Sequence, residues 1–206
     1  MNDAPLFVDI MNSFLIEKKL SEINIALYRE FFEFPIINYY RRLGFNFKEE
    51  SFRSLGVRFI DTYKQRRFEA ALFCGVGGLI KKLNQKGCLQ FVVSAQENSL
   101  LRSAVEYYNL SHYFTFCSGV DNVFAEGKVC LANKLKNEFL SDIKNVFVVG
   151  DSLKDLDVAL ALNAVPLLVS YGHYAKHRLV GKGSSFIFDS VGALDLFLSK
   201  QIKTIN

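Results

Sequence analysis

The chain reads as an α/β protein: a doubly wound parallel sheet with a small all-helical segment inserted after its first strand. Two observations predict this. Short β-rich runs alternate with stretches of helical apolar spacing along most of the 206 residues, and between about 16 and 73 the alternation stops. The predicted organisation is therefore a core of residues 1–15 and 74–206 with a helical insert of residues 16–73.

Taken in order, Leu6 to Asp9 reads as the opening strand, because an apolar run closes on an acid. Glu22 to Leu43 and Glu49 to Leu72 follow as helices with no strand between them; Pro35 should kink or split the first, and Gly44 with Asn46 marks the turn before the second. Beyond the insert, strands are predicted at Leu89 to Ser94, Tyr113 to Cys117, Val146 to Asp151, Val165 to Ser170 and Phe186 to Asp189. Helices are predicted at Gly78 to Lys86, Leu100 to Asn109, Leu131 to Leu140 and Leu153 to Leu162.

Composition narrows the function class. Half the residues are apolar, as in an ordinary globular protein with a large core. A net charge of +4 with no basic stripe argues against nucleic-acid binding and mildly favours a small anionic partner. Cys74, Cys88, Cys117 and Cys130 show neither metal-site spacing nor a disulfide framework, so they read as small buried hydrophobes in a reducing, cytoplasmic setting. The N-terminal stretch lacks the basic region of a secretory signal. The longest apolar run, Val158 to Val169, is broken by Asn163 and Pro166 and is too short to span a bilayer, so no membrane partner is expected.

Five positions carry chemistry. In an open parallel sheet ligands bind outside the carboxyl ends of the strands, so acids closing separate strands can converge on one metal and phosphate. Asp9 closes the first predicted strand and Asp151 a later one, in Gly150-Asp151-Ser152, with Asp155 four residues on and on the same helix face. Ser94 ends Gln90-Phe-Val-Val-Ser94, where a hydroxyl and the following N–H groups could grip a phosphate oxygen. Lys128, in Glu126-Gly127-Lys128, could neutralise charge between a phosphoryl group and a carboxylate. Singly, each has a plainer reading: a turn acid, a helix cap, a solvated lysine.

As an ordered set they resemble the haloacid dehalogenase-like superfamily, in particular its phosphoglycolate-phosphatase-like branch with a helical cap. The family's Asp-x-Asp-Gly-Thr motif is matched by Asp9-Ile-Met11-Asn12-Ser13, its Ser/Thr by Ser94, its Lys by Lys128 and its Gly-Asp-x-x-x-Asp by Gly150-Asp151 with Asp155. The resemblance implies a Rossmann-like core and a Mg²⁺-dependent phosphohydrolase acting on a small phosphorylated metabolite. In it Asp9 would be the nucleophile, and Asp9, Asp151 and the Met11 carbonyl would hold Mg²⁺. Asp155 would orient the metal shell, while Ser94, Lys128, Ser13 and Asn12 would surround the phosphoryl oxygens.

Met11 departs from the pattern, since the family's phosphatases carry there an Asp that protonates the leaving group, a service worth roughly 10²- to 10⁴-fold. Three readings follow: a phosphohydrolase of low or altered turnover, a phosphonate- or halogen-cleaving enzyme on the same scaffold, and a phosphate-binding or regulatory protein without catalysis. In the insert, the basic residues between Arg41 and Arg67 could select an anionic substrate but read mostly as a solvated face. Phe31, Phe32, Phe34, Tyr39, Tyr40, Phe45 and Phe47 read as the insert's own core. His173 and His177 lie at helical spacing without a third ligand and read as surface.

Overall fold

The computed structural model describes residues 1–120, 128–141, 143–183 and 186–205. It begins not with a strand but with a helix, α1 (Ala4–Glu17), which corrects the expected strand at Leu6 to Asp9. Over four residues an apolar run suits either structure. Over fourteen, Leu6, Ile10, Met11, Phe14 and Leu15 recur at three- and four-residue spacing and are all buried, while Pro5 sits in the first turn where its missing N–H costs nothing. The helical period prevails because buried apolar positions continue past Asp9 at that spacing, with no glycine or proline to stop them.

Three further helices follow: α2 (Ile25–Phe31), α3 (Ile36–Arg42) and α4 (Phe52–Arg66). Asn24 caps α2 by accepting the Leu27 N–H, Ser51 caps α4 by accepting the Ser54 N–H, and Pro35 separates α2 from α3 as the sequence predicts. Ala4, Ile10, Phe14 and Leu15 of α1 share one hydrophobic cluster with Tyr28, Tyr39, Tyr40, Leu55, Phe59 and Tyr63. The predicted boundary at residues 15 and 16 thus falls inside α1, whose apolar face belongs with the helical layer. The aromatic core expected for the insert is present in Phe32, Tyr39, Tyr40 and Phe45, which are buried.

The rest alternates: α5 (Val76–Gln85), β1 (Phe91–Glu97), α6 (Asn98–Tyr107), β2 (Phe116–Val120), α7 (Lys128–Phe139), β3 (Phe147–Gly150), α8 (Leu153–Leu162), β4 (Val165–Val169), α9 (Lys176–Leu179), β5 (Phe186–Phe188) and α10 (Val191–Ile205), of which α9 and α10 were not expected from the sequence. All described pairings are parallel, but they fall in two groups. β1 pairs with β2, and β4 lies between β3 and β5. β1 and β3 share no ladder; both line one cavity of about 590 Å³ that also reaches the helical layer at Phe7, Met11 and Tyr63.

The helical layer is tied to this α/β part by packing and by polar contacts. Leu168, Tyr174 and Leu179 complete the α1–α4 cluster. The Arg29 guanidinium donates to the carbonyls of Gly172 and Tyr171 at 2.8 Å each, and Arg178 donates to those of Arg29 and Phe32. The cysteines are all free, but Cys74 and Cys130 are exposed rather than buried, since each lies at or beside the first turn of a surface helix. No helix among the described residues is long and apolar enough to cross a membrane.

Candidate active site

The carboxyl-end residues of β1 and β3 border the cavity, and its lining includes four of the predicted site residues: Ser94, Lys128, Asp151 and Asp155. Each is placed by local chemistry. Asp155, in the first turn of α8, is 5% exposed, and its Oδ2 accepts from the Asp151 N–H at 3.0 Å, the Ser152 N–H at 2.9 Å and the Ser152 hydroxyl at 2.7 Å. This box satisfies donors that a helix start leaves orphaned and places the acid where the helix dipole favours it. Its Oδ1 pairs with Lys128 Nζ, itself largely shielded from solvent.

Asp155 can approach the strand end this closely because residue 150 is glycine: a Cβ there would lie 2.1 Å from the Asp155 Cγ. Asp151 depends on Gly172 in the same way, a Cβ there falling 1.9 Å from its Oδ2, and that oxygen accepts the His173 N–H at 2.7 Å. Ser94 accepts the Gln96 N–H at 3.0 Å, which leaves its own proton to donate. Glu126 and Gly127 lie outside the described residues.

The first-motif residues do not join this site. Asp9 projects from α1 with its side chain 65% exposed and pairs with Arg66 at 2.6 Å. Asn12 exchanges two hydrogen bonds of 2.9 Å with the backbone of Ile23, and the Ser13 hydroxyl donates to the Ile10 carbonyl. Met11 does border the cavity, but as a side chain 1% exposed in mid-helix, where its carbonyl belongs to the helical ladder. Asp9, Asn12 and Ser13 thus do not border the cavity, where the expected strand would have carried them: a helix turns Asp9 to solvent while turning Met11 inward.

Two further residues belong to the cavity wall: Asp3, given no role in the sequence, and His173, whose reading as surface is corrected. His173 Nε2 lies 3.2 Å from Asp3 Oδ1 and its Nδ1 2.6 Å from the Tyr28 hydroxyl, while Tyr63 donates to Asp3 Oδ2 at 2.8 Å. Burial alone would push His173 down, yet the bond to Asp3 and the charges of Asp151 and Asp3 carry it above its ordinary value. Burial likewise pushes Asp3 up, and the His173 bond, with His173 and N-terminal charge, outweighs it to leave Asp3 low. His177, by contrast, is exposed and pairs with Glu30. The sequence signal was the lone acid ahead of Pro5 and a His after the Ser170-Tyr171-Gly172 turn, neither informative alone.

The arginines of the helical layer do not line the cavity. Arg58 binds Glu17 and Glu50, Arg66 binds Glu69 and Asp9, and Arg42 binds Glu33. Its lining cations are Lys128 and Lys154.

A fold with acids, a lysine and a hydroxyl at the carboxyl ends of parallel strands meets a direct counterpart in known families: the model for haloacid dehalogenase-like hydrolases matches residues 1–169. The chain belongs to this family. As a haloacid dehalogenase-like hydrolase it is similar in structure to a predicted phosphatase from Clostridium acetobutylicum, with a TM-score of 0.77 at 18% identity over 96% of this chain and 93% of that one. It is also similar to a haloacid dehalogenase-like family hydrolase from Streptococcus pneumoniae, with a TM-score of 0.75, 14% identity and coverage of 95% and 92%. Protein Tyrosine Kinase A from Mycobacterium tuberculosis gives a TM-score of 0.75 at 20% identity, with coverage of 96% and 92%. At these identities the likeness is one of fold. Among curated protein sequences no match is found.

Proposed function

We propose that this hydrolase acts on a small phosphorylated metabolite, gripping the phosphoryl group between Lys128 and the Ser94 hydroxyl. The observation that carries the reading is the Lys128–Asp155 pair held at the mouth of the cavity beside Ser94 and Asp151. A shielded lysine beside a hydroxyl donor suits a reaction whose catalysis is largely positioning and charge neutralisation. Helices α1–α4 would act as the cap that covers the substrate.

Mg²⁺ is the metal this family implies, and the residues present fit it incompletely. Asp155 is fully engaged by its three donors and Lys128, so Asp151 is the carboxylate left to face a cation. Among the described residues no group of three acids, histidines or cysteines is placed to hold a metal. Mg²⁺ is bound through one or two carboxylates with water and phosphate oxygens, so Asp151 supplies part of such a site.

The test is phosphate release from acetyl phosphate or p-nitrophenyl phosphate with Mg²⁺. Release should persist in Asp9→Asn and fall at least a hundredfold in Lys128→Ala and Asp151→Asn. Loss of release in Asp9→Asn would restore that residue to the mechanism. A second reading, a phosphate-binding protein without turnover, is favoured by the absence of a second uncommitted carboxylate among the described cavity residues. It predicts that phosphate raises the melting temperature through Lys128 while no product accumulates. Neither release nor Lys128-dependent stabilisation would overturn both readings.

A further inference from the structure

Named contacts join the polar residues of the cavity to a wall of rings in the helical layer. Two residues beyond Ser94, the Gln96 amide donates to the Tyr63 hydroxyl at 3.3 Å. The residue that donates its N–H to Asp151 is His173, whose ring centroid lies 5.3 Å from that of Phe7. Phe7 also meets Phe59 and Tyr63, each at 5.1 Å, and its three contacts are tilted or edge-on, at 60°, 66° and 71°. Phe7 is only partly buried and, like Phe59, Tyr63 and His173, borders the cavity.

The carboxyl groups of the lining have other duties. Asp3 is bonded to Tyr63 and His173, Glu97 accepts from the N–H and hydroxyl of Ser99, and Asp155 is taken by Ser152, the Asp151 N–H and Lys128. Asp151 is the one left to face a cation, and Met11 offers no proton. Among the described residues, then, no lining carboxyl is free to protonate a leaving alcohol, a service worth roughly 10²- to 10⁴-fold.

We propose that the substrate is an aryl phosphate monoester, its phosphoryl group beside Lys128 and Ser94 and its ring against Phe7, Phe59 and Tyr63. The inference rests on the phosphatase reading and adds the leaving group to it. Both observations select it. An incoming ring extends the edge-to-face packing around Phe7. A phenol, with a pKa of about 10, departs as its anion where an alkyl alcohol needs a proton. In the net reaction water adds its oxygen to phosphorus as the bond from phosphorus to the aryl oxygen breaks. The bonding pair leaves on the aryl oxygen and both water protons stay on the phosphate, giving phenolate and dihydrogen phosphate; the phenolate takes a proton from bulk water after release.

Calorimetry with benzylphosphonate and butylphosphonate, in which a methylene replaces the ester oxygen, separates the ring from the phosphate. Benzylphosphonate should bind at least about fivefold tighter, the scale of one aromatic pair. Phe7→Leu should shrink this preference to under about twofold, and Phe31→Leu, outside the cavity, should keep it. Lys128→Ala should weaken both ligands alike. In the unsubstituted protein, nuclear Overhauser contacts from the ligand ring to Phe7 and Tyr63 read the same placement without a variant. Phosphate release from phenyl phosphate should exceed that from butyl phosphate by at least about a hundredfold. Equal Lys128-dependent affinity for the two phosphonates, a preference that survives Phe7→Leu, no contact to Phe7 or Tyr63, or equal release from the two esters would each overturn the inference and leave the phosphatase reading standing. Binding indifferent to Lys128→Ala, no binding, or no release from either ester would overturn that reading and the inference with it.

Discussion

Asp155 answers three donors with one oxygen and a lysine with the other, so its value is structural before it is chemical. Asp155→Ala should destabilise the chain by about 3 kcal/mol in urea denaturation, combining a lost helix cap with a buried lysine left unpaired. Asp9→Asn removes a solvent-exposed ion pair and should change stability by under about 1 kcal/mol. The Asp3–His173 pair predicts a pH window. His173 sits above its ordinary value, so its contribution is complete below about pH 6.5 and is lost as pH rises through the elevated value. Asp3 sits below its ordinary value, so its contribution is complete above about pH 3.9 and is lost as pH falls through the lowered one. Stability should therefore plateau between about pH 4 and pH 6.5, and His173→Gln should remove the decline on the alkaline side of a melting-temperature profile.

At the scale of elements, α1 decides how the first fifteen residues are used. Leu15 is fully buried in the α1–α4 cluster and Ile16 is 59% exposed, one residue apart on opposite faces. Leu15→Ala should cost about 2–5 kcal/mol in denaturant titration, and Ile16→Ala under about 0.5 kcal/mol. The same helix explains where sequence reading failed. Leu6-Phe7-Val8-Asp9 looked like a strand because four residues cannot separate a period of 2 from one of 3.6, and the acid at its end suited a motif. The later strands were legible because glycine, asparagine or proline punctuates them, and because β1, β2 and β3 each precede a stretch of unambiguous helical spacing, as β3 precedes α8. Ser94, Lys128, Asp151 and Asp155 were legible for the same reason: a strand end followed by a helix start fixes where a side chain points. Asp3 and His173 were not, because their meeting depends on how α1 sits against the turn before α9, a contact between residues 170 apart.

For the whole molecule, the helical layer and the α/β part share both a hydrophobic cluster and the cavity, so opening one exposes the other. Ligand binding beside Lys128 should slow exchange at Tyr63 and Met11, which line the same cavity, whereas Arg29→Ala, which removes two bonds to the Gly172 turn, should loosen Asp151 and weaken phosphate binding by about tenfold in calorimetry. The edges of β1 and β3, unpaired among the described residues, also bear on how the protein misassembles. An outward-facing edge invites another sheet to add broadside and can seed fibrils. These two edges face each other across a cavity, where a lone extended segment can enter and a flat sheet cannot. Crowded or partly unfolded samples should therefore yield discrete oligomers built by segment exchange rather than growing fibres, and light scattering with thioflavin fluorescence distinguishes the two.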